Sequence, residues 1–231
     1  MKTLILIPAF GCDGRLYEPQ IAALKGRINC ITHIGTGDRY EVMVENLLAQ
    51  APEQFAVLGT SMGGRLALEI TLAAPERVEA LCVIGAAAGP VADKTIGLKR
   101  SERIRSGEKE QVLREMGDMI CHMEGPNGPT TRQAFIDMGR DFGTEALIQQ
   151  SDALSYRDDK WGRVGEISCP SLFLWGAHDK FSPAADGARL AELVEDGSYV
   201  ELPYCGHFPT LEYPEKANAA IVAWLEDAEL I

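Results

Sequence analysis

Short apolar runs alternate along this chain with longer stretches in which apolar residues recur every three or four positions. Six runs have strand length: Thr3–Pro8, Asn29–Ile34, Phe55–Gly59, Ala80–Ala86, Ser171–Gly176 and Ser198–Pro203. Several lack strict apolar–polar alternation, as strands covered on both faces of a parallel sheet do. Helical patterns fill most of the gaps, at Tyr17–Lys25, Tyr40–Ala51, Gly63–Ala73, Pro183–Val194 and Pro214–Asp227. Glu18, Glu41 and Glu215 fall in or near first turns, where the helix dipole favours a carboxylate. The alternation predicts an α/β fold, a mostly parallel sheet flanked by helices.

Between Ala86 and about Gly165 the strand signals stop. Helical patterns run over Lys109–Met123, with Val112, Met116, Met119 and Met123 at spacings of three and four, then over Arg132–Phe142 and Thr144–Tyr156. Ordinary crossover helices are one reading of this block. Its length, about three times that of a usual crossover, favours a helical lid over 86–165 on a core built from 1–85 and 166–231.

Composition narrows the partners. A 231-residue chain with 46% hydrophobic residues can bury one large core. A formal net charge of -12 argues against nucleic acid or an anionic membrane surface. The first apolar run stops at Pro8, which reads as a buried strand rather than a leader. No run approaches the ~18 apolar residues of a membrane helix, so a soluble, cytoplasmic protein is expected. Cys12, Cys30, Cys82, Cys121, Cys169 and Cys205 are scattered, with no C-x-x-C pair, and read as free thiols. No metal-ligand spacing and no glycine-rich dinucleotide fingerprint is present, so neither metal nor cofactor is expected. Oligomeric state stays open.

The chemistry concentrates in three loops. Gly59-Thr60-Ser61-Met62-Gly63 is a G-x-S-x-G sequence between a strand run and a helix pattern. That context suits a sharp turn that lifts a serine hydroxyl above the sheet edge, at a helix N-terminus able to stabilise an oxyanion. A serine needs a base. Of His33, His122, His178 and His207, the last sits in a Gly-His-Phe-Pro loop between the final strand and the final helix, and is the best placed. His33 reads as a strand residue and His122 as part of the helical block. The imidazole needs an acid, and Asp179 after Ser171–Gly176 competes with Asp93 after Ala80–Ala86.

The stretches GTSMGG, WGAHDKFSP and CGHFPTLEYPE, joined by the strand–helix alternation, resemble the α/β-hydrolase superfamily over essentially the whole chain. The resemblance implies a Ser61–His207–Asp179 triad in the family's chain order. It implies an oxyanion hole from the N–H groups of Phe10 and Met62. Where many relatives carry His-Gly, this chain has Pro8-Ala9, which removes a side chain but not the backbone donor. The antiparallel N-terminal hairpin of larger relatives has no counterpart, so a sheet of about six strands is expected.

The implied reaction is acyl transfer to water, on a small or medium apolar carboxylic ester, thioester or lactone. A lyase or carbon–carbon bond-cleaving enzyme, or a ligand receptor on the same fold, remains the alternative. Met119, Trp161, Phe181 and Phe208 are the expected pocket residues. Arg65, Lys94, Lys99 and Arg157 could meet an anionic substrate, but solvated surface charge is the simpler reading.

Overall fold

A computed structural model describes all 231 residues. It contains β1 (Thr3–Ile7), β2 (Asn29–Thr32), β3 (Phe55–Thr60), β4 (Val78–Ile84), β5 (Ser171–Gly176) and β6 (Gly197–Leu202). They form one six-stranded sheet in the order β2-β1-β3-β4-β5-β6, with every neighbouring pair parallel. Leu4 and Leu6 pack with Leu58, Cys82 and Leu174 on one face, while Ile5 and Ile7 pack with Val57, Val83 and Phe173 on the other. This two-sided burial is why the central runs do not alternate.

The helices are α1 (Glu18–Ala23), α2 (Tyr40–Leu48), α3 (Met62–Ala73), α4 (Lys94–Arg105), α5 (Lys109–Ile120), α6 (Gly128–Asp141), α7 (Thr144–Ser155), α8 (Ala184–Leu193), α9 (Pro209–Glu212) and α10 (Pro214–Asp227). On one sheet face lie Met43 of α2, Leu66 of α3 and Leu190 of α8. Ile221 and Trp224 of α10 cover the other. Because β1 lies between β2 and β3, the chain reverses its winding direction there. A crevice therefore opens beyond the carboxyl ends of β1 and β3, where open α/β sheets hold their ligands.

Residues 86–165 contribute no strand to the sheet; they form α4 to α7 and the start of a 3-10 turn at Trp161–Glu166. The helix expected to reach Met123 ends at Ile120, where Cys121 turns extended (φ -98, ψ 146). Helix α4 is absent from the hydrophobic pattern for a physical reason. Its contact with α7 is made by small and polar groups: Ser101 Oγ donates to Asp152 Oδ1 at 2.6 Å, and Ser151 Oγ donates to the Gly97 carbonyl at 2.9 Å. A Cβ at Gly97 would overlap the Ser155 hydroxyl, so the two helices meet almost backbone to backbone.

Candidate active site

Ser61 stands between β3 and α3 with φ 57 and ψ -116. Non-glycine residues rarely hold a positive φ, and such backbone costs on the order of 1–3 kcal/mol. The surroundings enforce it. A Cβ at Gly59 would overlap the Gly63 carbonyl, and one at Gly63 would overlap the Ile7 carbonyl, so only glycines allow α3 to start this close to β1 and β3. The Ser61 N–H donates to the Ile84 carbonyl at 2.7 Å, fastening the turn to β4. Buried Tyr17 donates to the Ile7 carbonyl at 2.7 Å and pairs with the Thr60 hydroxyl at 2.8 Å, joining the ends of β1 and β3.

His207 follows β6, and Asp179 follows β5. Their side chains meet at 2.6 Å, Nδ1 to Oδ2, with His207 3% and Asp179 1% exposed. The other carboxylate oxygen, Oδ1, accepts from the N–H groups of Phe181 at 2.8 Å and Ser182 at 3.0 Å. Asp179 is thus held from both ends, and its hydrogen bond fixes the proton of the imidazole on Nδ1. Nε2 is left as the basic nitrogen. Asp93 is spent elsewhere: its carboxylate caps α4 by accepting from the Thr95 N–H at 2.8 Å.

Three supports of the site are not legible in the sequence, two of them at the pair itself and one at the loop after β1. Gly85, at φ 61, lies under the pair, and a Cβ there would sit 3.0 Å from His207 Nδ1 and 3.1 Å from Asp179 Oδ2. Glu212 is buried and accepts from the N–H groups of His122 at 2.9 Å, Gly206 at 2.9 Å and Phe208 at 3.2 Å, so it frames His207 on both sides. Gln150 of α7 accepts from the Gly11 N–H at 2.9 Å and donates to the Gly35 carbonyl at 3.0 Å, pinning the loop after β1.

That loop carries Phe10. The Phe10 N–H donates to no backbone group, and the Met62 N–H, first in its helix, has no partner within α3. Ser61, Phe10, Met62 and His207 all line one cavity of about 470 Å³. Trp161, Phe181 and Phe208 line it too, with Met116, Ile120 and Leu154 from the helical block. Met119 does not, which corrects the expectation. It is 47% exposed, because the apolar face of α5 turns Met116 and Ile120 inward and Met119 to solvent. His122 and His178 stack on each other at 3.9 Å rather than joining the pair.

The cavity wall also carries charge. Arg65 is consumed: it pairs with Glu69 at 2.8 Å and donates to the carbonyls of Ala88, Gly89 and Asp158. Lys94 and Lys99 are exposed and do not line the cavity. Arg157 and Arg100 do line it, the latter unforeseen. Burial, and then the like charge of Arg157, pull the Arg100 guanidinium down to about 10, so it stays charged at neutral pH. Burial raises the Tyr40 hydroxyl well above its ordinary range.

With the geometry laid out, comparison with known proteins agrees on one class. Residues 4–220 match the model of the Alpha/beta hydrolase family. The chain belongs to that family, and its coarse function is that of a hydrolase. It is 26% identical over 221 residues to a 2-hydroxy-6-oxononadienedioate/2-hydroxy-6-oxononatrienedioate hydrolase of Paraburkholderia xenovorans, covering 93% of this chain and 70% of that protein. It is 26% identical over 204 residues to a pimeloyl-[acyl-carrier protein] methyl ester esterase of Nitrosomonas europaea, covering 78% of this chain and 74% of the other. Among solved structures, a thermophilic esterase from Thermogutta terrifontis superposes with a TM-score of 0.88 at 22% identity, over 99% of this chain and 90% of that one.

Proposed function

We propose that this protein is a serine hydrolase that cleaves a carboxylic ester, or a chemically similar thioester or lactone, through an acyl-enzyme on Ser61. The observation that carries the reading is the conjunction of a serine at a strained turn with a buried His207–Asp179 pair on the same cavity. His207 Nε2 takes the Ser61 proton as the hydroxyl oxygen attacks the acyl carbon. Asp179 keeps the imidazole oriented and stabilises the imidazolium without taking its proton. The N–H groups of Phe10 and Met62 receive the oxyanion; one such donor is worth about 10²–10³ in turnover. Collapse expels the alcohol, which collects the proton from His207. Water, activated by the same imidazole, then releases the acid.

Residues 86–165 act as the lid of this site, and their side chains form much of the wall facing Ser61. The esterase name of one relative supports a carbonyl substrate. The test is stopped-flow hydrolysis of 4-nitrophenyl butyrate. A burst of nitrophenol equal to the enzyme, lost in Ser61→Ala, is expected. Binding without turnover across a panel of esters, thioesters and lactones would overturn the reading in favour of a receptor.

A further inference from the structure

Two guanidinium groups line the cavity without an ion pair; Asp152, which is already held by Ser101 and Arg105, lies near enough to Arg100 to offset only part of its charge. Arg100, on α4, makes one hydrogen bond, from Nε to the Ser151 hydroxyl at 2.9 Å, which leaves its two terminal nitrogens free. Its guanidinium carbon lies 4.7 Å from the centre of the Phe10 ring, directly beside the proposed oxyanion loop. Arg157, just past α7, makes one long bond, from a terminal nitrogen to the Leu154 carbonyl at 3.3 Å. Neither takes part in an ion pair, although ten of the other twelve arginines of this acidic chain do. Close to both and to Arg65 lies Tyr40, 3% exposed, whose hydroxyl has no hydrogen-bond partner.

Such an arrangement is costly on its own. Two like charges are held together against a partly dry wall, next to an orphaned hydroxyl, and each unpaired buried polar group costs about 1–3 kcal/mol. The carboxylates on the same wall do not relieve it: Asp93 is engaged with Thr95, and Asp186 lies beside Arg189 on α8. A ligand carboxylate would answer all three groups at once. Its two oxygens match the planar forks of arginine, and a lone pair is left for the Tyr40 O–H.

We propose that Arg100, Arg157 and Tyr40 form an anion subsite, and that the substrate of this hydrolase is a carboxylate-bearing ester or lactone rather than a neutral one. The inference rests on the serine-hydrolase reading for the word ester, but the subsite itself does not. The apolar part of the same cavity, lined by Met116, Leu154 and Phe181, then holds the carbon chain that links the scissile carbonyl to the anionic end.

Two measurements separate the claims. The first is calorimetric binding of glutarate, with glutaramide as the neutral control, to Ser61→Ala protein and to the same protein carrying Arg100→Gln or Arg157→Gln. Glutarate should bind more tightly than glutaramide, and each arginine substitution should weaken it about 10- to 100-fold, the worth of a charge-assisted hydrogen-bond pair. Equal binding of the two compounds, or affinities unmoved by both substitutions, overturns the subsite.

The second is the ratio of kcat/KM for mono-4-nitrophenyl glutarate over 4-nitrophenyl butyrate. It should exceed one and fall by a similar factor in each arginine variant. In Lys99→Gln, which removes the same charge from an exposed position of α4, it should stay within about twofold. Turnover of both esters without that preference sinks the subsite and spares the hydrolase. Glutarate bound through both arginines with no ester turned over sinks the hydrolase and spares the subsite.

Discussion

At the residue scale, the acid of the proposed triad is the sharpest point. Asp179 and Asp93 were equivalent on residue type alone, and each follows a central strand. What separates them is hydrogen bonding: Asp179 meets His207 at 2.6 Å, whereas Asp93 caps α4. Asp179→Asn keeps the shape but favours the wrong imidazole tautomer, a change worth about 10⁴ in turnover in serine proteases. Steady-state kinetics should show a loss of that order for Asp179→Asn. Asp93→Asn should retain most activity, since asparagine caps a helix about as well as aspartate. The reverse order would assign the acid to Asp93.

Ser61 and His207 were legible because each lies in a short motif whose local geometry decides its role. Glu212 and Gln150 were not. Their partners are backbone N–H groups brought together by folding, at Gly206, His122 and Gly11, and no spacing in the sequence marks them. Arg100 was hidden in another way. In the sequence it is one of several charges on a polar helix, and only the contact of α4 with α7 turns it to the cavity.

At the scale of elements, the central strands β1, β3, β4 and β5 are legible because burial on both faces leaves a continuous apolar run, whereas the edge strands β2 and β6 are part exposed and show only a weaker apolar signal. Helix α4 escaped because its packing uses Gly97, Ser101, Ser151 and Ser155 in place of large apolar side chains. That interface also sets the position of Arg100, through Ser151. Gly97→Val inserts a branched side chain where even a Cβ overlaps Ser155. Overpacking of this kind costs about 1–3 kcal/mol, so the thermal midpoint should fall by about 3–10 °C for a chain of this size. An unchanged midpoint in differential scanning calorimetry would mean that α4 is not seated on α7 as described.

At the scale of the whole molecule, the six cysteines report on the integrity of the core. All are free; Cys12, Cys82, Cys121 and Cys205 are buried, while Cys30 and Cys169 are half-buried. Burial raises all six thiols, the four buried ones furthest, because it penalises the thiolate. At pH 8 iodoacetamide should therefore modify Cys30 and Cys169 first in the native protein, and all six only after unfolding, as peptide mapping would show. A thiol whose folded pKa is raised contributes stability that is complete below the unfolded value of about 8.5. That contribution is lost as pH climbs above it, so the thermal midpoint should fall between pH 8 and 10. A midpoint that held or rose there would contradict the burial of these four groups.

No helix is long and apolar enough to cross a membrane. The turn at Ser61 and the loops after β5 and β6 meet at one cavity, where Ser61 is expected to become acylated. Intact-mass and peptide analysis after treatment with a fluorophosphonate tests it most directly. A single adduct on the peptide bearing Ser61 is expected, absent from Ser61→Ala and strongly slowed in Asp179→Asn. A folded protein that takes up no label, or takes it up at another residue, would contradict it.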